Sequence, residues 1–187
     1  MKRIYRWSTV EGGGTEHLAL DVSAARIAAE AVVIGPAAGP LFEGAPFACI
    51  YRLRCGADWR VRELAVRLAG GATLTLAADG LGNWTDGAGR PLPGLDGCID
   101  VDLACTPLTN TLPIRRLGKV LDRRQEIRVA FVAFPALSVR AVSQAYTRLG
   151  PGRYRFDSPE HAFTADIGTD DEGLVLDYPG LFYRHGA

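Results

Sequence analysis

Short runs in which apolar and polar residues alternate recur along the chain. The run from Cys98 to Cys105 places Ile99, Val101 and Leu103 on one face and Asp100 and Asp102 on the other. A period of two is typical of a β-strand with one buried face. Roughly twelve to fifteen such runs, separated by turns rich in glycine, proline and aspartate, follow at spacings of about 8 to 12 residues. This pattern predicts an all-β protein.

Three segments depart from simple alternation. Residues 26–35 and 126–134 are apolar on nearly both faces, as in strands buried on two sides. Several alanines also allow a helix over residues 23–33 in place of the first strand. A short helix is expected after Thr109, beginning near Leu112. Helices do not alternate with the strands, and this excludes a parallel α/β architecture.

So many consecutive hairpins cannot form one flat open sheet without exposing long edges. We therefore expect a sheet that curls and encloses either a cavity or a filled core. The chain has 187 residues and no linker-like segment, which predicts a single domain. The expectation is one domain of roughly 12 to 15 antiparallel strands with at most one short helix.

Charge and cysteine content narrow the classes of partner. Acidic and basic residues number 21 each, so no net field favours nucleic acid or an anionic membrane. No window reaches the roughly 18 apolar residues of a membrane span, and the first residues lack an export signal, so we expect a cytoplasmic protein. Four cysteines, at positions 49, 55, 98 and 105, fit neither zinc nor redox spacing. We expect them to be reduced and buried, with no metal or cofactor.

Two blocks of the second half resemble a known family. The first contains Trp84, Asp86, Gly89 and the run TPLTNTLPIRRL at residues 106–117; the second contains GLVLDYPGLF at residues 173–182. Both are similar to the glycolipid-binding family of small bacterial proteins. The resemblance implies a spiral β-roll with a likeness to carriers that shuttle lipoproteins, although those carriers are exported. No established catalytic or binding residue comes with it, and a function inferred from fold alone is an analogy.

The charged residues of the first block suggest chemistry. Asp100 and Asp102 share a strand face about 7 Å apart, which suits a carboxylate pair or metal ligands, but equally a solvated face. Arg115 and Arg116 present planar groups suited to phosphate, sulfate or a sugar acid. The alternative is that one of these arginines pairs with one of the aspartates, and this pairing is the expectation.

Uncharged residues complete the candidate binding set. Thr109 and Asn110 can hydrogen-bond sugar hydroxyls, but such residues also cap short helices, and capping is the expected role. Four aromatic residues offer faces for a sugar ring or an acyl chain, or pack in the core. They are Trp84, Tyr146, Tyr154 and Tyr178.

Catalytic signatures are missing from the sequence. The three histidines are scattered and no Gly-x-Ser-x-Gly elbow is present. The favoured function is non-catalytic binding of an amphiphile, a glycolipid or lipid. Its tail is expected inside the roll and its head at a polar rim formed by residues 110–116. Two alternatives stay open. One is a glycoconjugate hydrolase using Asp100 with a second acid, and the other is an interaction scaffold with a filled core.

Overall fold

A computed structural model describes residues 2–36 and 45–186. Within these residues fourteen strands form one sheet, as the alternation predicts. Most of the expected loop at residues 35–46 lies outside the described residues. The strands are β1 (Lys2–Thr9), β2 (Thr15–Val22), β3 (Arg26–Gly35), β4 (Phe47–Gly56), β5 (Val61–Leu68), β6 (Thr73–Ala78), β7 (Trp84–Asp86), β8 (Asp100–Leu103), β9 (Gln125–Val132), β10 (Val139–Gly150), β11 (Arg153–Ser158), β12 (Phe163–Thr169), β13 (Val175–Tyr178) and β14 (Phe182–Arg184).

The first strand, β1, lies in the middle of the sheet, and the later strands are added on both sides of it. Strands β1 to β7 pair in sequence toward one edge, whereas β9 to β14 return from the opposite edge until β14 pairs with β1. Neighbours are antiparallel except β8 and β9, which are parallel. The expectation of antiparallel strands is therefore wrong for this pair. The long segment between β8 and β9 can carry the chain back to the same end of the sheet, which a hairpin cannot do.

The two sheet edges, β7 and β8, are connected by contacts outside the strand ladder. The amide of Gly97 donates to the carbonyl of Gly82 at 3.0 Å, and the indole of Trp84 donates to the carbonyl of Cys98 at 2.7 Å. Gly82 has a φ of +106°, and a Cβ there would lie 3.0 Å from the Cα of Gly97. The sheet thus curls without closing its ladder, which confirms the predicted roll.

Alternation along the strands defines the concave face. On β4, Cys49, Tyr51 and Leu53 are buried while Arg52, on the other face, pairs with Glu30. Strand β3 pairs along its whole length with β2 and β4, so the helix alternative for residues 23–33 is wrong. Its outer face is also more exposed than expected, since Val32 and Ile34 are half exposed. On β9, by contrast, residues 129–132 are all buried, as predicted.

One helical segment occupies the concave side of the roll. It consists of a 3-10 turn (Pro107–Asn110), the helix α1 (Thr111–Leu117) and a second 3-10 turn (Gly118–Asp122). Every residue from 107 to 114 is buried. The predicted short helix is therefore present and starts one residue before Leu112. Leu108, Leu112 and Ile114 pack into the core, so the chain's own side chains fill much of the space that the sheet encloses.

Candidate functional site

Half of the ten predicted site residues come together on the concave side. Asp102, Asn110 and Tyr178 line a cavity of about 40 Å³, which we call the Asp102 pocket. Thr109 and Tyr146 form hydrogen bonds to two of these residues. The pocket also contains Gln144 and four phenylalanines, one each on strands β9, β11, β12 and β14: Phe131, Phe156, Phe163 and Phe182.

Asp102 connects strand β8 to the helical segment and to β10. Its carboxylate accepts hydrogen bonds from the hydroxyl of Thr109 at 3.2 Å and from the amide of Gln144 at 2.6 Å. The Thr109 hydroxyl also accepts from the backbone amide of Leu103 at 3.3 Å. Gln144 is almost fully buried. This network holds the floor of the pocket in place.

Asn110 serves as a core hydrogen-bonding residue and does not cap the helix. Its side-chain oxygen accepts from the hydroxyl of Tyr146 at 2.9 Å, and its amide donates to the carbonyl of Pro107 at 3.2 Å. The capping expectation for Asn110 is therefore wrong. Thr106 begins the segment, and its hydroxyl accepts from the amide of Leu108 at 3.0 Å. Burial raises the pKa of Tyr146 well above its usual range, so its phenol is a fixed donor to Asn110.

Asp100 and Arg116 form the ion pair expected from the sequence. Two parallel hydrogen bonds join the guanidinium to the carboxylate at 3.1 and 2.6 Å, and the side chains are 1% and 13% exposed for Asp100 and Arg116. Burial raises the pKa of Asp100, and the hydrogen bonds and charge of Arg116 oppose this rise. Asp100 is therefore paired with Arg116, whereas Asp102 accepts hydrogen bonds from Thr109 and Gln144 on other elements.

Arg115 lines a second cavity, which we call the Arg115 cleft. Its volume is about 190 Å³. Arg115 is exposed, and its guanidinium lies 5.4 Å from the centre of the Trp59 ring, within the range of a cation–π contact. Leu20 and Leu174 provide apolar surface within the cleft, and Arg3 forms an ion pair with Glu172 beside it.

Two turns lie against Arg115. Trp59 lies in the β4–β5 turn with a φ of +65°, a conformation that is uncommon for a bulky residue. Gly173, in the β12–β13 turn, has a φ of +80°, and a Cβ there would lie 3.1 Å from Cδ of Arg115 and 3.2 Å from Cγ2 of Ile114. Glycine at 173 thus permits the close approach of α1 that positions Arg115.

The two remaining predicted residues lie elsewhere. Trp84 is buried at the edge of the sheet, where its indole contacts Cys98, and it lines neither cavity. Tyr154 is half-buried on β11, with the guanidinium of Arg148 6.0 Å from its ring centre. We therefore find no role for these two residues at either cavity.

Glu16 is a buried acid that the sequence analysis missed. Its carboxyl accepts hydrogen bonds from the hydroxyls of Tyr51 at 2.5 Å and Thr106 at 2.7 Å, and the residue is 3% exposed. Burial raises the pKa of Glu16 to about 7, and both hydrogen bonds oppose the rise. Strand parity was an available signal, because Glu16 shares a face with Leu18 and Leu20.

The cysteines are free thiols buried in the core. Burial raises the pKa of Cys55 to about 12, so this thiol stays protonated at neutral pH. Among the side chains that the structure describes, which leave out that of His161, no three from histidine, cysteine or acidic residues group in a way that could hold a metal.

Comparison with known proteins shows the family of the chain. A family model described as "Putative glycolipid-binding" matches residues 4–184. The chain belongs to this family. A DUF1089 family protein from Pseudomonas aeruginosa, known from a crystal structure, is similar to the chain at 42% identity and a TM-score of 0.76. The match covers 90% of this chain and 91% of the other. No curated protein matches the chain.

In the part of the chain that the structure describes, no helix has the length and apolar character needed to cross a membrane.

Proposed function

We propose that the protein binds a glycolipid-like amphiphile without catalysis, and that the Arg115 cleft receives its head group. The observation that carries this proposal is an exposed arginine held over a tryptophan at a cleft with apolar surface. The volume of about 190 Å³ is adequate for a ring, since an engineered protein cavity of roughly 150 Å³ takes up benzene. The description of the family agrees with a ligand of this class.

Arg115 is the residue best placed to recognise a polar head group. In the described part of the chain it forms no ion pair, and its contact with Trp59 leaves the guanidinium donors available. A planar guanidinium can donate two parallel hydrogen bonds to a carboxylate or phosphate, or single ones to hydroxyls. On the same cleft, Glu172 can accept from sugar hydroxyls and Arg3 can donate to them.

The apolar part of the ligand has a different place from the one first expected. The helical segment occupies the concave side of the roll, and the Asp102 pocket, at about 40 Å³, is too small for an acyl chain. In the Arg115 cleft, Leu20, Val22 and Leu174 offer apolar surface, and Val22 is 41% exposed. We therefore propose that the first part of the tail lies along these residues.

The alternative of a glycoconjugate hydrolase is not favoured by any observation at Asp100. This carboxyl is buried against Arg116, and a general acid or nucleophile must reach its substrate. The filled concave side supports the scaffold alternative. That alternative does not explain why Arg115, Trp59 and apolar residues lie together at one cleft.

The test uses isothermal titration calorimetry with octyl glucoside, octyl glucuronide and octyl phosphate, each below its micelle concentration. Saturable binding of at least one probe is expected, and replacing Arg115 by alanine should weaken it about 10- to 100-fold, as for the loss of a charge-assisted hydrogen bond. Arg123→Ala is the matched control, because Arg123 is exposed and lies outside the cleft. The three probes separate neutral from acidic head groups.

A second measurement does not depend on the choice of probe. Native mass spectrometry of protein purified from its own host, followed by organic extraction, should find a co-purifying amphiphile. Extracts that repeatedly lack lipid, together with no saturable binding of the three probes, would contradict the proposal. Equal losses of affinity in Arg115→Ala and Arg123→Ala would show that Arg115 does not recognise the head group.

A further inference from the structure

We propose that the Arg115 cleft selects a glycolipid whose sugar carries a single carboxylate, and that Glu172 is the residue that disfavours head groups with more than one negative charge. This rests on the proposed function, because it names the ligand class of the same cleft. Three features of the cleft support it: the charges of its lining, the anchored turn that carries Glu172, and its width.

The charged residues of the lining leave one positive charge unmatched. Among the described residues that line the cleft, two arginines, Arg3 and Arg115, stand against one acid, Glu172. The Glu172 carboxylate accepts from the guanidinium of Arg3 and from the hydroxyl of Tyr5, the latter at 3.4 Å. Arg115 forms no ion pair in the described part of the chain and lies against the Trp59 ring. A ligand with a single negative charge therefore neutralises the cleft.

Glu172 is held beside the cleft by the β12–β13 turn. The side chain of Asp170 accepts from the backbone amides of Glu172 at 3.0 Å and Leu174 at 2.9 Å, which fixes the turn on both sides of Gly173. The second carboxylate oxygen of Asp170 accepts from Arg184 at 2.7 Å, and this ion pair is largely buried. Because its backbone is anchored in this way, Glu172 keeps its negative charge beside the cleft when a ligand enters.

The two sides of the cleft have opposite hydrogen-bonding character. Arg115 has only donors, which suit a carboxylate on the ligand, whereas the carboxylate of Glu172 has only acceptors, which suit hydroxyl groups. A sugar acid carries both groups on one ring. A phosphate dianion offers only acceptors, and it meets Glu172 without a proton to donate. The lining therefore favours a sugar carboxylate over both a phosphate monoester and a neutral sugar.

The width of the cleft brings any bound charge close to Glu172. A sphere of about 190 Å³ is roughly 7 Å across, which is less than the screening length of about 8 Å at physiological ionic strength. At this distance in water, one ligand charge and the Glu172 charge change an affinity by about threefold. Coulomb energy is proportional to the ligand charge, so the same interaction amounts to about tenfold for a dianion.

The experiment measures the affinity of octyl glucoside, octyl glucuronide and octyl phosphate by isothermal titration calorimetry at pH 8, where the phosphate monoester carries two negative charges. For the wild-type protein, octyl glucuronide should bind about tenfold more tightly than octyl glucoside, because only the acid forms a charge-assisted bond with Arg115. It should bind at least about threefold more tightly than octyl phosphate. Arg115→Ala should bind octyl glucuronide and octyl glucoside within about twofold of each other.

Glu172→Gln isolates the effect of the carboxylate charge. Binding should strengthen about threefold for octyl glucuronide and about tenfold for octyl phosphate, but not for octyl glucoside. The matched control is Asp171→Asn, which changes an exposed acid of the same turn that does not line the cleft, and it should alter each affinity by less than about twofold. Both positions are exposed, so the fold should be retained in both variants.

The outcomes separate the ligand class from the function of the cleft. No saturable binding of any of the three probes would contradict the proposed function and the sugar-acid selectivity together. If octyl glucoside or octyl phosphate binds as tightly as octyl glucuronide to the wild-type protein, the selectivity alone is wrong. Equal changes for all three probes in Glu172→Gln would show that Glu172 only supports the shape of the cleft, and would overturn its role in discriminating charge.

Discussion

The buried carboxyl of Glu16 predicts that the stability of the protein falls as the pH rises toward neutrality. Burial raises the pKa of Glu16 in the folded protein to about 7 from an ordinary value of 4.5. Below pH 4.5 the carboxyl is protonated in both the folded and unfolded states. Between pH 4.5 and 7 the folded state alone retains the proton, so the free energy of unfolding decreases with rising pH across this window.

The magnitude follows from the difference between the two pKa values. The difference, 7 − 4.5 = 2.5 units, at roughly 1.4 kcal/mol a unit, gives about 3 kcal/mol. Stability is therefore fully present below pH 4.5 and is lower by about 3 kcal/mol above pH 7. Glutamine at position 16 is neutral at every pH; its oxygen can accept from one of the Tyr51 and Thr106 hydroxyls and its amide can donate to the other, so Glu16→Gln should not lose this stability.

The assay is urea unfolding of the wild-type protein and Glu16→Gln between pH 4.5 and 8.5. The difference in unfolding free energy between the two proteins should shift by about 3 kcal/mol in favour of Glu16→Gln across this range. Other groups, including Asp100, cancel in the difference. Glu11→Gln, a change in the exposed β1–β2 turn, is the control. A difference for Glu16→Gln that is independent of pH would refute the reasoning.

Two further predictions concern stability. Arg116→Ala should lower the free energy of unfolding by about 3 to 5 kcal/mol, because it leaves the buried Asp100 without its partner. The control, Arg123→Ala, should change it by less than about 0.5 kcal/mol. Similar losses for the two variants in urea unfolding would show that the ion pair adds nothing to stability. Gly82→Ala should cost about 1 to 3 kcal/mol, because its Cβ would press on backbone across the sheet edge, while Gly94→Ala meets open space and serves as its control in thermal unfolding. Equal melting temperatures for the two alanine variants would contradict the close approach.

Local patterns were sufficient to predict the strands. The alternation of Cys49, Tyr51 and Leu53 with Arg52 is a property of one strand and needs no knowledge of its neighbours. The short helix after Thr109 could also be predicted locally. An ion pair between these aspartates and arginines could be predicted too, because one strand and one helix only 16 positions apart carry them, but only the structure showed that Asp100 and Arg116 are the two that pair. Residues close in sequence leave few possible arrangements.

The sequence could not predict where distant segments meet. Parity places Glu16 beside Leu18, but it cannot reveal that Thr106, 90 residues later, makes burial of the carboxyl tolerable. Asn110 met the requirements of a cap, and only packing against Tyr146 gave it another role.

By itself, then, the sequence determined the strand pattern, the curl of the sheet, the short helix, and an ion pair between one of Arg115 and Arg116 and one of Asp100 and Asp102. The tertiary structure alone decided that the helical segment fills the concave side, that β8 runs parallel to β9, and that Arg115 meets Trp59 from a distant turn. The physical reason is that hydrophobic periodicity reports which side of a strand is buried. The partners of each buried side chain depend on the order of the strands and on how far the sheet curls.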